Sequence, residues 1–269
     1  TVGFWEYLVY TVGLSVAFIM FAGLAVNWTL PALNITDKPL SLWPILICFN
    51  IFLLILWFIA IQRNKDLKPF DITVPKLDTL NNIFFIIPMA FPLLSILGAF
   101  LLNNHGPNIL TMIMLGGIAI YVLLLVIFRK HMNENIWPWA LYWMGLALLL
   151  MYSMRSWNFM GNDIIGEYHY FDLTLKNNFW NFAEPKESYN ICLSITIFPT
   201  IIKLFTNVAN LNIYKIIIQL IFPNLLIAIY FLFKKFSSNI FSFLAGLFFI
   251  SQVGYMNDMP SHIRQEIAF

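Results

Sequence analysis

Two stretches of this chain, Leu42 to Ile61 and Ile109 to Phe128, carry no charged residue over about 20 positions each, the length a helix needs to cross a bilayer. Backbone in hydrocarbon must satisfy its own N–H and C=O groups, so such stretches fold as helices. Composition extends the constraint to the whole chain. With 60% hydrophobic and only 10% charged residues, it has too few polar side chains to clothe a water-soluble domain. Hydropathy places further spans near Tyr7 to Trp28, Ile83 to Leu102, Trp137 to Met154, Ile213 to Phe233 and Ile240 to Val253, with an eighth beginning at Ile267. The fold class expected is all-α, a polytopic transmembrane helix bundle. The net charge of +2 is small and scattered, so no nucleic-acid partner is expected. Cys48 lies in a span and Cys192 beside a long loop, which argues against a structural disulfide between them.

Basic residues orient the bundle. Arg63, Lys65, Lys68 and Lys76 follow the second span, Arg129 and Lys130 the fourth, and Lys234 and Lys235 the sixth. Basic loops favour the cytoplasm, which puts the N-terminus there too. The alternate short loops, Pro31 to Ser41 and Asn103 to Asn108, hold only Lys38 and face the other side. This topology puts the long connection 155–212 outside the cell membrane, with Asp163, Glu167, Asp172, Glu184 and Glu187 in it. A long, chemically equipped loop is where function is sought. Asn34-Ile-Thr36 and Asn27-Trp-Thr29 are glycosylation sequons.

Within that loop, Gly161 to Leu175 has helical spacing. Ile164, Tyr168, Phe171 and Leu175 form one apolar stripe, and Asp163, Glu167, Tyr170 and Thr174 form a neighbouring one. The expectation is a helix lying on the membrane, greasy stripe toward acyl chains and both carboxylates at headgroup level. The plainer alternative makes these carboxylates solvated or helix-capping. A second interfacial helix is expected from Pro199, with Ile201, Phe205 and Val208 on one side and Lys203, Asn207 and Asn210 on another. Trp157, Phe159, Phe179, Trp180 and Phe182 either stack on sugar rings or anchor the loop at the interface. The last outer stretch adds Asp258, His262, Arg264 and Glu266. Asp258 and His262, with Asp163, are the candidates for a divalent metal, although Pro260 interrupts their helical spacing and no further ligand pattern supports them. Arg264 suits a phosphate oxygen pair, or else snorkels to the interface.

From about Trp137 to its end the chain resembles the GT-C superfamily of multi-pass glycosyltransferases. The resemblance rests on a span, an acidic loop helix with a nearby tyrosine (Asp163, Glu167, Tyr168), a proline-led helix at Phe198-Pro199-Thr200, the span Tyr214 to Lys235, and Arg264-Gln-Glu266. More narrowly, GLSVAFIMFAGLAVNWTLPAL, GNDIIGEYHYF and IRQEIAF look like an archaeal family of membrane proteins without an assigned activity. The chain departs from better-known GT-C enzymes in its four preceding spans and in the four-residue spacing of its acids. The resemblance divides it into an N-terminal four-span region, 1–136, and the start of a GT-C-like module, 137–269. Because the chain begins at Thr1 and a new apolar run opens at its end, it reads as a fragment whose missing C-terminal part belongs to the same module.

What the resemblance implies is a membrane glycosyltransferase of the cell envelope. Its donor would be a polyprenyl-phosphate sugar drawn from the membrane lipid. Asp163 would be the general base, Glu167 would orient it or help bind a divalent ion, and Tyr168, Arg264 and Glu266 would hold the substrate and its lipid phosphate. The rival readings are a polytopic transporter or lipid flippase and a noncatalytic scaffold subunit. Transport usually places ionisable residues at mid-bilayer, and the span interiors are expected to hold none.

Overall fold

A computed structural model describes residues 3–63, 79–183 and 188–269. Lys65, Lys68, Lys76, Glu184 and Glu187, used above to orient the chain and its loop, lie outside the described residues. The protein is an all-α polytopic membrane bundle, with no strand among the described residues. Among the described residues six helices are long and apolar enough to cross a membrane: α1 (Phe4–Ala32), α2 (Leu42–Arg63), α3 (Thr79–Asn103), α4 (Ile109–Ile127), α5 (Ile136–Ser153) and, after two shorter helices, Asn210–Lys234. Those shorter helices are α6 (Asn162–Asn177) and α7 (Ile197–Thr206), so the sixth span is α8. A seventh span exists if α9 (Asn239–Ile250) and the segment Gly254–Ser261 count as one. The two are bent by 59° beside Val253, where the span was expected to end. Ser251 and Gln252 turn their side chains onto the Phe248 carbonyl, at 2.8 and 3.1 Å, in competition with the helical ladder at the bend. The run expected to open an eighth span falls in α10 (Ile263–Ala268).

The chain folds as two compact units interleaved in sequence. The first comprises Thr1–Val12, Pro75–Ile164 and Leu211–Phe269, and the second Gly13–Val74 and Ile165–Asn210. In the first, α5 is the hub: 67% of its best span window is buried, against 11% for the more apolar α2. A helix as bare as α2 must be greasy on every side to stand in lipid. Small residues let neighbours close on α5. A methyl group at Gly145 would collide with Leu226 of α8 and come 2.6 Å from the Tyr255 hydroxyl, and one at Gly246 of α9 would meet Leu141 at 2.6 Å.

Pro88 interrupts α3 and has no N–H to give the Phe84 carbonyl. The Tyr121 hydroxyl of α4 donates to that oxygen at 2.7 Å, and the Trp139 indole N–H donates to Phe85 O at 2.8 Å. Leaving such a buried acceptor unmet costs about 1–3 kcal/mol, a loss that the Tyr121 hydroxyl prevents at Phe84 O.

The second unit has a smaller core of Val26, Leu40, Ile45, Phe49, Ile197 and Ile201. α7 begins with Pro199 in its first turn, as expected, and ends at Asn207 in the left-handed region, φ 51°. Its buried residues are Ile197 to Ile201, while Phe205 is exposed. Asn27, wholly buried, donates to Trp180 O at 2.9 Å and accepts from Trp180 N at 2.8 Å. Its amide therefore has no room for a glycan, whereas Asn34 is exposed.

Candidate functional site

The first unit gathers Asp163, His262 and Arg264. Gly161 makes this possible: its φ of +107° suits glycine, and a Cβ there would lie 2.9 Å from the Cβ of Ser261. That close approach sets the start of α6 against the chain that leads into α10. Asp163, in the first turn of α6, then receives Arg264 Nη2 at 3.0 Å and His262 Nε2 at 3.1 Å on the same oxygen, Oδ2. All three side chains are between one quarter and about one third exposed, so the cluster is open to a ligand.

The protons of this cluster can be followed. His262 Nδ1 lies 2.7 Å from the main-chain oxygen of Asp258, a group that only accepts, so Nδ1 carries hydrogen in that contact. Ser261 Oγ is also close to Nδ1, at 3.1 Å, and can donate instead to Asp258 O at 2.9 Å. The contact between Nε2 and Asp163 then needs a second proton, on the ring or on the carboxyl. Asp163 Oδ2 is thus flanked by an imidazole and a guanidinium.

Glu167 corrects an expectation. It is fully buried, not solvated. The buried residues of α6 are Ile164, Glu167, Tyr170, Phe171 and Thr174, and at about 100° per residue they span an arc of roughly 120° with Glu167 at its centre. Tyr170 and Phe171, adjacent in sequence, widen the buried face onto the stripe read as polar. Tyr168 and Leu175, read as apolar, are only half-buried. The Tyr168 ring packs edge-on to Phe171 at 5.6 Å.

Glu266 is also buried, and accepts from Gln219 Nε2 of α8 at 2.9 Å. Asp258 has an exposed side chain and takes part in the cluster through its carbonyl. Among the described residues no group of three or more His, Cys, Asp or Glu side chains could hold a metal ion. Asp163 Oδ2 already faces two nitrogens, one of them the guanidinium, whose charge opposes a second cation. The residues present do not fit a divalent ion, and no step below runs through one.

Lys215, near the start of α8, is an ionisable residue that the sequence reading did not single out. It is almost fully buried and donates to the main-chain oxygens of Ser156 and Asn158, the latter at 3.0 Å. Ser153 Oγ donates back to Lys215 O at 2.9 Å. These bonds tie the end of α5 and the start of the long connection to α8. The signal was visible: Lys215 and Gln219 sit one turn apart within an otherwise apolar run, on one helix face. The chain matches no family model, no curated protein and no solved structure.

Proposed function

We propose that the chain is a membrane glycosyltransferase of the GT-C type, moving a sugar from a polyprenyl-phosphate donor to an acceptor on the extracytoplasmic face. The observation that carries this reading is the meeting on one carboxylate oxygen of Arg264 and His262, about a hundred positions away in sequence. Asp163 takes the proton of the acceptor hydroxyl as its oxygen bonds to the anomeric carbon. The bond from that carbon to the donor phosphate breaks with inversion, and the electron pair leaves on the phosphate. Arg264 steadies that leaving charge, since a guanidinium offers several N–H donors in a rigid fork. His262 Nε2, 3.1 Å from Asp163 Oδ2, holds the carboxylate in place, and the captured proton leaves from Asp163 to solvent. Glu167 and Glu266, both buried, hold the surrounding helices instead of touching substrate.

The test is sugar transfer from a radiolabelled polyprenyl-phosphate sugar by membranes holding the full-length protein, wild type against Asp163→Asn. Loss of transfer in a folded variant supports a catalytic carboxylate. Equal transfer in both removes Asp163 from the mechanism. A transporter or flippase is the second reading, favoured by the buried Lys215 within a span. It gains ground if no donor supports transfer and Lys215→Met abolishes lipid movement in proteoliposomes.

A further inference from the structure

At the other end of α5, still within the first unit, two cavities meet. One, of about 380 Å³, is polar and is lined by Glu6, Glu134, Lys234 and Lys235 with aromatic walls that include Trp5 and Phe231. The other, of about 320 Å³, is an apolar crevice that runs along Val9, Ile229 and Leu232. Glu6, Phe231 and Lys235 line both. The pair forms one amphipathic groove, with a charged mouth at a helix end and an apolar run down the helix flank.

Two of the four charges are already spent on each other. Lys234 Nζ lies 2.6 Å from Glu134 Oε2 and about 6 Å from the ring centres of Tyr230 and Phe231. Glu6 and Lys235 make no ion pair among the described residues, although Gly3 N donates to Glu6 Oε2 at 3.1 Å. So one acid and one base remain uncompensated, and both stand where the polar pocket opens into the apolar crevice. They are not within ion-pair distance of each other.

We infer that this groove binds a single zwitterionic phospholipid with a primary ammonium headgroup, its phosphate at Lys235, its ammonium at Glu6 and an acyl chain along Ile229 and Leu232. Charge complementarity selects this occupant. A purely anionic lipid would satisfy Lys235 but offer Glu6 no counter-charge. A detergent or hydrocarbon chain alone would leave both charges unmet. The placement also suits a lipid in the bilayer, because acid and base at a span end sit at the depth of headgroups while the crevice lies at the depth of acyl chains.

Native mass spectrometry of the delipidated full chain in detergent, mixed with equal amounts of phosphatidylethanolamine and phosphatidylglycerol, tests this. Wild type should retain phosphatidylethanolamine about fivefold more, the size of one partly exposed ion pair. Glu6→Gln should bring the ratio near one by removing the ammonium's partner, and Lys235→Gln should weaken retention of both lipids. Both substitutions are near-isosteric at solvent-reachable positions, and a thermal melt matching wild type certifies the fold. Equal retention of the two lipids by wild type, or a preference unmoved by Glu6→Gln, overturns the inference.

Discussion

The two ends of α5 hold acid and base in different proportions. At Ser153 and beyond, one carboxylate, Asp163, serves two nitrogenous partners, Arg264 and His262. Before Ile136, Glu134 serves one lysine, and Glu6 and Lys235 are opposite charges without an ion pair among the described residues. The partners differ in stiffness too. Arg264 and His262 stand two residues apart on a chain pressed onto Gly161, whereas Lys234 is a long, flexible side chain at the close of α8, reaching a Glu134 that is 68% exposed. An ion pair of the latter kind contributes at most about 1 kcal/mol. The difference teaches that charge at a helix end is not by itself a site. What distinguishes Asp163 is that backbone fit, not side-chain reach, delivers its partners.

The comparison breaks most visibly at Asp163. Asp163→Asn should lower transfer by about a hundredfold or more, the usual worth of a general base, while Glu134→Gln leaves transfer unchanged. Parallel initial rates check both, and an equal loss in the two would erase the distinction between the ends. Next comes Arg264→Gln, expected to raise the KM for the polyprenyl donor about tenfold, since tenfold corresponds to roughly one charge-assisted hydrogen bond. A fall in kcat with unchanged KM would place Arg264 away from the donor phosphate.

Gly145→Ala strikes the helix that joins the ends. The added methyl meets Leu226 and the Tyr255 hydroxyl, and should cost about 1–3 kcal/mol, read as a lowered midpoint in a detergent melt. Smallest is Glu134→Gln on stability. Lys234 beside Glu134 holds its carboxyl below the ordinary value of 4.5, by hydrogen bond first and by charge second. A depressed folded value means stabilisation present above 4.5 and lost as pH falls through the folded value. The variant should therefore melt slightly below wild type at pH 7, by less than about 1 kcal/mol for so exposed a pair, and the gap should close in acid.

The spans were legible because hydropathy is a local property that lipid enforces. Leu42 to Ile61 and Ile109 to Phe128 recur almost unchanged as α2 and α4. The α6 helix was legible from its spacing, but the face it buries was not. The stripe through Tyr168 and Leu175 looked apolar, and a helix wheel cannot show that Tyr170 and Phe171 would turn Glu167 inward. Asn27 and Lys215 escaped notice for a related reason. Each looks like an ordinary polar residue near a span end until its partner, the Trp180 backbone or the Ser156 and Asn158 carbonyls, is brought to it from far along the chain.

By itself, then, the sequence determined an all-α membrane bundle, the approximate limits of its helices and the residue types available for chemistry, since burial in lipid leaves a helix little choice. Tertiary structure alone decided which of those residues meet. The chain bends by 59° between α9 and Gly254–Ser261, Gly161 closes on Ser261, and two residues that follow the bend, His262 and Arg264, come to a single oxygen of Asp163. Contacts across a hundred residues depend on how whole helices pack, and packing is set by shape at positions such as Gly145 and Gly161, where the informative feature is the absence of a side chain.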